Sequence, residues 1–81
     1  MGRLSGRSAL ITAVGDAPGD SLVRVLAAEG AQIAANHIRP EVAERSAAIA
    51  AEAGTRGIAV GAHLLDRAAV EAAVAKTVAE F

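Results

Sequence analysis

Ser8-Ala9-Leu10-Ile11-Thr12-Ala13-Val14 is a short apolar run, and Gly15-Asp16-Ala17-Pro18-Gly19 closes it. A run this short, bounded by glycine and proline, reads as a buried strand, because a helix would need about ten residues or more. Beyond the turn the period changes. Leu22, Val25 and Leu26 fall at i, i+3, i+4, with Arg24 and Glu29 off that stripe, and Gly30 stands where a C-terminal cap belongs. From Ser8 to Gly30 the chain therefore predicts a strand, a glycine turn and a helix over Asp20 to Glu29.

The same alternation continues outward. Ala31 to Asn36 is a second short run, and Pro40 with Glu41 suits the first turn of a second helix. In that helix Val42, Ser46, Ile49 and Ala53 recur on one face. Gly54-Thr55-Arg56-Gly57 is a loop, and Ile58 to Ala62 predicts a third strand. Asp66 is placed to cap a third helix whose stripe is Val70, Val74, Val78 and Phe81. Strand and helix alternating about every 25 residues is the pattern of parallel βαβ units with right-handed crossovers. The fold class is α/β: a three-layer β-α-β-α-β-α half of a doubly wound fold, with strand order 3-2-1. The first strand is then an edge of the sheet, an apolar one that favours association.

Composition narrows the function. Twenty-two of the 81 residues are alanine, so the core is lean, and small side chains let helix and sheet backbones approach closely. Eight basic residues face nine acidic ones for a net charge of −1, with no Tyr or Trp to stack on bases, so nucleic acid is not an expected partner. The absence of cysteine excludes disulfides and thiolate metal sites. No apolar run reaches the roughly 20 residues of a membrane span. The expectation is a cytoplasmic chain.

Sites in open α/β sheets lie beyond the carboxyl ends of the strands, here Gly15 to Asp20, His37 to Pro40 and His63 to Asp66. A glycine-rich turn before a helix N-terminus offers backbone N–H groups and the helix dipole to a pyrophosphate. Asp16 and Asp20 sit in the same place, where their carboxylates would occupy the positive site themselves. Both readings stand at this point: an anion cradle, or a self-capped structural turn. His37 and His63, at the ends of strands expected to be adjacent, form a pair with Asp66 as the nearby candidate third ligand, and no metal site is assigned.

Arg3-Leu4-Ser5-Gly6-Arg7-Ser8-Ala9-Leu10-Ile11-Thr12, Leu26-Ala27-Ala28-Glu29-Gly30-Ala31 and Asp66-Arg67-Ala68-Ala69-Val70 resemble the N-terminal segment of the short-chain dehydrogenase/reductase family. The resemblance spans Arg3 to Phe81, roughly the first third of a family member. It implies a Rossmann-like fold, with residues 1–81 as its cofactor-binding part, and an NAD- or NADP-dependent oxidoreductase. The cofactor-binding residues it implies are Thr12, Gly15, Gly19 and Arg39, the last favouring NADP through a 2′-phosphate. The family's turn is degenerate here: Ala13 and Ala17 replace two glycines, and His37 and His63 stand where acidic residues are usual. The family's catalytic Asn, Ser, Tyr and Lys lie beyond residue 81; this chain has no Tyr, and its one lysine is Lys76. No catalytic residue is assigned, so the 81 residues are not catalytic by themselves. The alternatives are a noncatalytic partner subunit, a pseudoenzyme whose turn no longer binds cofactor, or an inert truncated product. The expected partner is the remainder of the fold or a homologous subunit, in an oligomer.

Overall fold

The computed structural model describes residues 2–81. Six elements alternate as expected: β1 Ser8–Ile11, α1 Ala17–Ala28, β2 Gln32–His37, α2 Pro40–Glu52, β3 Gly57–Gly61 and α3 Arg67–Glu80. The three strands form one parallel sheet with β2 in the centre. Ser8 pairs with Gln32 and Ile11 with Ala35, while Ile33 pairs with Gly57 and His37 with Gly61. This is the 3-2-1 order read from the other side, and β1 pairs on one side alone.

Strand alternation divides the core into two layers. Ile33 and Ala35 face α1 and α2, where they pack with Ile11, Val23, Ala27, Ala47 and Ala50. Ala34, Val60 and Ala62 face the other way, onto Ala73 and Ala69 of α3 and onto Phe81. The molecule is thus three layers: two helices, a sheet, one helix.

Local chemistry explains the boundaries. Asp16 caps α1, with Pro18 in its first turn, so the helix starts three residues earlier than the periodicity predicts. It ends in a Schellman pair, Gly30 N–H to Ala27 O at 2.9 Å and Ala31 N–H to Leu26 O at 3.1 Å. Gly54 and Thr55 repeat that pair after α2. β1 stops at Ile11 rather than Val14 because Ala13 adopts φ 53°, which breaks the extended run. The chain still tracks β2, as Val14 N–H reaches Asn36 O at 2.9 Å.

The stripes mark only part of the buried faces: Leu26, Ile49 and Phe81 pack against the core, but the most buried residues of α1 and α3 lie beside the stripe. In α1, Leu22 and Val25 are 50% and 61% exposed, while Gly19, Val23 and Ala27 meet the sheet. In α3, Val74 and Val78 are exposed, and Ala73 is the buried residue. In α2, Ser46 is buried as expected, but beside Ala43, Ala47 and Ala50, with Ala53 exposed. The cause is backbone proximity. A Cβ on Gly57 would run into the carbonyl oxygen of Ala47, so only small side chains fit between α2 and the sheet. A leucine there would hold the helix away. Each buried alanine methyl contributes only about 0.8 kcal/mol, but many act together. Polar tethers hold the far end of α3. Arg56 reaches Glu80 through the backbone oxygen at 2.7 Å and the carboxylate at 2.6 Å, and lies 5.3 Å from the Phe81 ring centre. Among the described residues no helix is long and apolar enough to cross a membrane.

Candidate functional site

The carboxyl ends of all three strands open at one edge of the sheet, and the turn after β1 is the most constrained part of that edge. Gly19 is buried where α1 crosses the chain: a Cβ there would stand 2.8 Å from Val14 Cα. Gly15 has φ 105°, and a Cβ would strike Val42 of α2. Both glycines are therefore required by the backbone path itself. Ala13 is not so favoured. It occupies the left-handed region with a Cβ in place, which costs about 1 kcal/mol or more.

Two amide donors of this turn, those of Gly15 and Gly19, are already engaged by carboxylates. Gly19 N–H donates to the Asp16 carboxylate at 3.5 Å, a long bond at the limit of hydrogen bonding. Gly15 N–H donates to Asp20 Oδ1 at 3.1 Å, and the same oxygen accepts the Ser46 hydroxyl of α2 at 2.7 Å. Pro18 has no N–H to give. A pyrophosphate at this turn would meet two carboxylates where it needs donors, so the turn as folded does not fit that group. Asp16 and Asp20 would have to turn away first.

Between the ends of β2 and β3 the arrangement is different. A cleft of about 240 Å³ is lined by Ala13, Asn36, His37, Ile38, Ala62, His63 and Leu64. Asn36, 2% exposed, makes its floor. The Asn36 amide donates to Val60 O at 3.1 Å and Ala62 O at 3.3 Å, and its oxygen accepts Ala13 N–H at 3.3 Å. One side chain thus ties the β1 turn to the end of β3 through β2. His37 Nδ1 accepts the N–H of Arg39 at 3.0 Å, and His63 Nδ1 accepts that of Leu65 at 3.1 Å. The two imidazoles brace their loops in the same way. The wall between them is apolar and of a size for a flat ring.

The residues singled out from sequence divide between these two regions. Gly15 and Gly19 shape the turn, and Thr12 lies exposed just beyond β1. Arg39 is exposed at the N-cap position of α2, in none of the ion pairs among the described residues. His37 and His63 do share the cleft. Asp66 does not join them: its carboxylate caps α3 by accepting Ala69 N–H at 3.2 Å. Among the described residues no group of three metal-ligand side chains forms. Asn36 was missed. The only signal for it is a polar residue inside an otherwise apolar strand, which says that partners exist but not where.

No family model matches the chain. The oxidoreductase UcpA of Salmonella typhimurium is 39% identical over 79 residues, which is 94% of this chain and 28% of that protein. A double mutant of a short-chain dehydrogenase/reductase from Serratia marcescens superposes with a TM-score of 0.87 at 32% identity, covering 96% of this chain and 32% of the other. The carveol dehydrogenase of Mycobacterium avium, solved in complex with NAD, gives a TM-score of 0.88 at 26% identity, covering 99% and 33%. The chain therefore spans less than a third of the length of the curated relatives it matches.

Proposed function

We propose that this chain, which by sequence and backbone is an N-terminal segment of a short-chain dehydrogenase/reductase, is the cofactor-binding part of an NAD(P)-dependent oxidoreductase and is not catalytic alone. The observation that carries the reading is the apolar cleft at the carboxyl ends of β2 and β3, braced by Asn36 beside the glycine turn. It is suited to the nucleoside end of a dinucleotide, and the diphosphate would cross the turn near Thr12, Gly15 and Gly19 only once the Asp16 and Asp20 carboxylates turn away from Gly19 and Gly15. The exposed Arg39 stands beyond His37 and favours a 2′-phosphate, hence NADP. Hydride chemistry belongs to residues outside these 81. The free side of β1 is the place for the remainder of the fold, or for a homologous subunit, to pair.

A second reading has its own observation. The carboxylates of Asp16 and Asp20 on the amides of Gly19 and Gly15 favour a noncatalytic partner subunit whose turn is structural. Titration with NADPH and NADH, followed by thermal unfolding, separates the two. The cofactor reading expects protection by NADPH above that by NADH. It also expects tighter NADPH binding when Asp16→Ser and Ala17→Gly are combined, since a charge is removed and the backbone freed. A flat response to both cofactors in both proteins would leave the structural turn as the answer.

A further inference from the structure

β3 is the short strand Gly57-Ile58-Ala59-Val60-Gly61, without charge or proline, and it pairs on one side alone. Such a strand is an open template for another, because nothing within it discourages pairing. Ile33 N–H reaches Arg56 O at 2.8 Å, which fixes the residues that face β2. Arg56, Ile58 and Val60 turn their backbone groups to β2, so those of Gly57, Ala59 and Gly61 point to the free side. The middle acceptor of that free edge is taken: Lys76 Nζ, from α3, donates to Ala59 O at 2.9 Å. Ala73, one turn before Lys76, is buried against the sheet face that carries Val60. Arg56 holds the end of the same helix through Glu80. The other edge differs. Gln32 N–H bonds Arg7 O, so Ser8 and Leu10 face the free side of β1, and among the described residues no side chain bonds their backbone.

We propose that Lys76 closes β3 to strand addition, so that a second copy of this chain does not pair there and added strands are directed to β1. An incoming strand needs Ala59 O as an acceptor. The ammonium occupies that oxygen and places a strongly hydrated charge beside the edge. To admit a strand, the charge must give up its bond and part of its water. Neutral at Nζ, the side chain keeps its reach and loses its hold. Gly57, Ala59 and Gly61 are then free together. The strand that fits is β3 of a second copy, laid antiparallel across a two-fold axis, since the same short uncharged edge meets itself.

Lys76→Met, of similar length and without charge or donor, tests this, with Lys76→Arg as the variant that keeps both. Hydrogen exchange followed by NMR reads the two edges separately, and sedimentation reads the mass. In Lys76→Met the amides of Ala59 and Gly61 should exchange about fivefold more slowly once concentration brings the chains together, the worth of one amide hydrogen bond. The unchanged chain and Lys76→Arg should show no such dependence at those two amides, whatever happens at Ser8 and Leu10. Lys76 is the one lysine of the chain, so a second comparison needs no substitution. Acetylation removes its charge and reductive methylation keeps it. The acetylated chain should behave as Lys76→Met and the methylated chain as the unchanged one, and this pair decides if Lys76→Met does not fold. Exchange at Ala59 and Gly61 that ignores concentration in the neutralised chains overturns the proposal. So does association that protects Ser8 and Leu10 alone, or concentration-dependent protection of β3 in the unchanged chain.

Discussion

At the turn after β1, backbone donors are satisfied from within a few residues: Asp16 and Asp20 bend back onto Gly19 and Gly15, and Ser46 of α2 completes the group. At the cleft between β2 and β3, the histidines use one nitrogen on their own loops and keep the other. The two regions lie at the same end of one sheet and are joined by Asn36, yet in one two glycine amides are taken by neighbouring carboxylates, and in the other each imidazole has one nitrogen outside its loop contact. A binding edge inherited from a fold is therefore not a single unit. Its parts can be filled separately, by carboxylates placed one turn from the donors they take.

The comparison can be broken at its joint. Asn36→Leu removes the side chain shared by the two regions and takes a hydrogen-bond partner from Ala13 N–H and from the oxygens of the buried Val60 and Ala62, at an expected cost of about 3 kcal/mol. Urea unfolding measures it, and an unchanged midpoint would mean that turn and cleft are held independently. A smaller effect sharpens the turn side. Ala13→Gly relieves a left-handed alanine, and after the added freedom of the unfolded chain it should stabilise by about 0.5–1 kcal/mol, read as a higher melting temperature. A lower one would show that the methyl, which lines the cleft, contributes more by contact than it costs in strain.

The smallest effect concerns a carboxylate away from both regions. Bidentate hydrogen bonding from the Arg3 guanidinium holds the Glu29 carboxyl down to about 2 from its usual 4.5. A folded-state value below the unfolded one stabilises above the unfolded value and is lost as pH falls through the folded one. The gap in melting temperature between the chain and Glu29→Gln should thus be full above about 4.5 and close as pH approaches about 2. A gap that persists unchanged through that window would show the pair to be replaced by other contacts.

Much of the fold was legible because its signals are local. Pro40 opens α2, Asp66 caps α3, and Gly30 ends α1, each within a turn of the residue that announces it. The helix faces were legible only in part: Leu26, Ser46, Ile49 and Phe81 do turn inward, but a stripe of Leu and Val outweighs alanine in any hydropathy pattern, whereas close backbone approach selects alanine and glycine. The carboxylates at the turn were visible as a conflict with an anion, being four residues apart in sequence. Their anchor was not: Ser46 lies 26 residues from Asp20 and reads as one small residue in a stripe. Asn36 was hidden for the same reason, as Val60 and Ala62 lie on another strand.

The alanine-lined contact between helices and sheet also sets how the molecule answers temperature. Alanine surrenders no rotamer freedom on folding, and it withdraws little apolar area from water. Heat capacity of unfolding follows that area, so it should fall below the usual figure of about 12–15 cal/mol/K per residue. Gibbs–Helmholtz curvature is then shallow. The chain's resistance to unfolding should therefore change little between a cold room and a warm one.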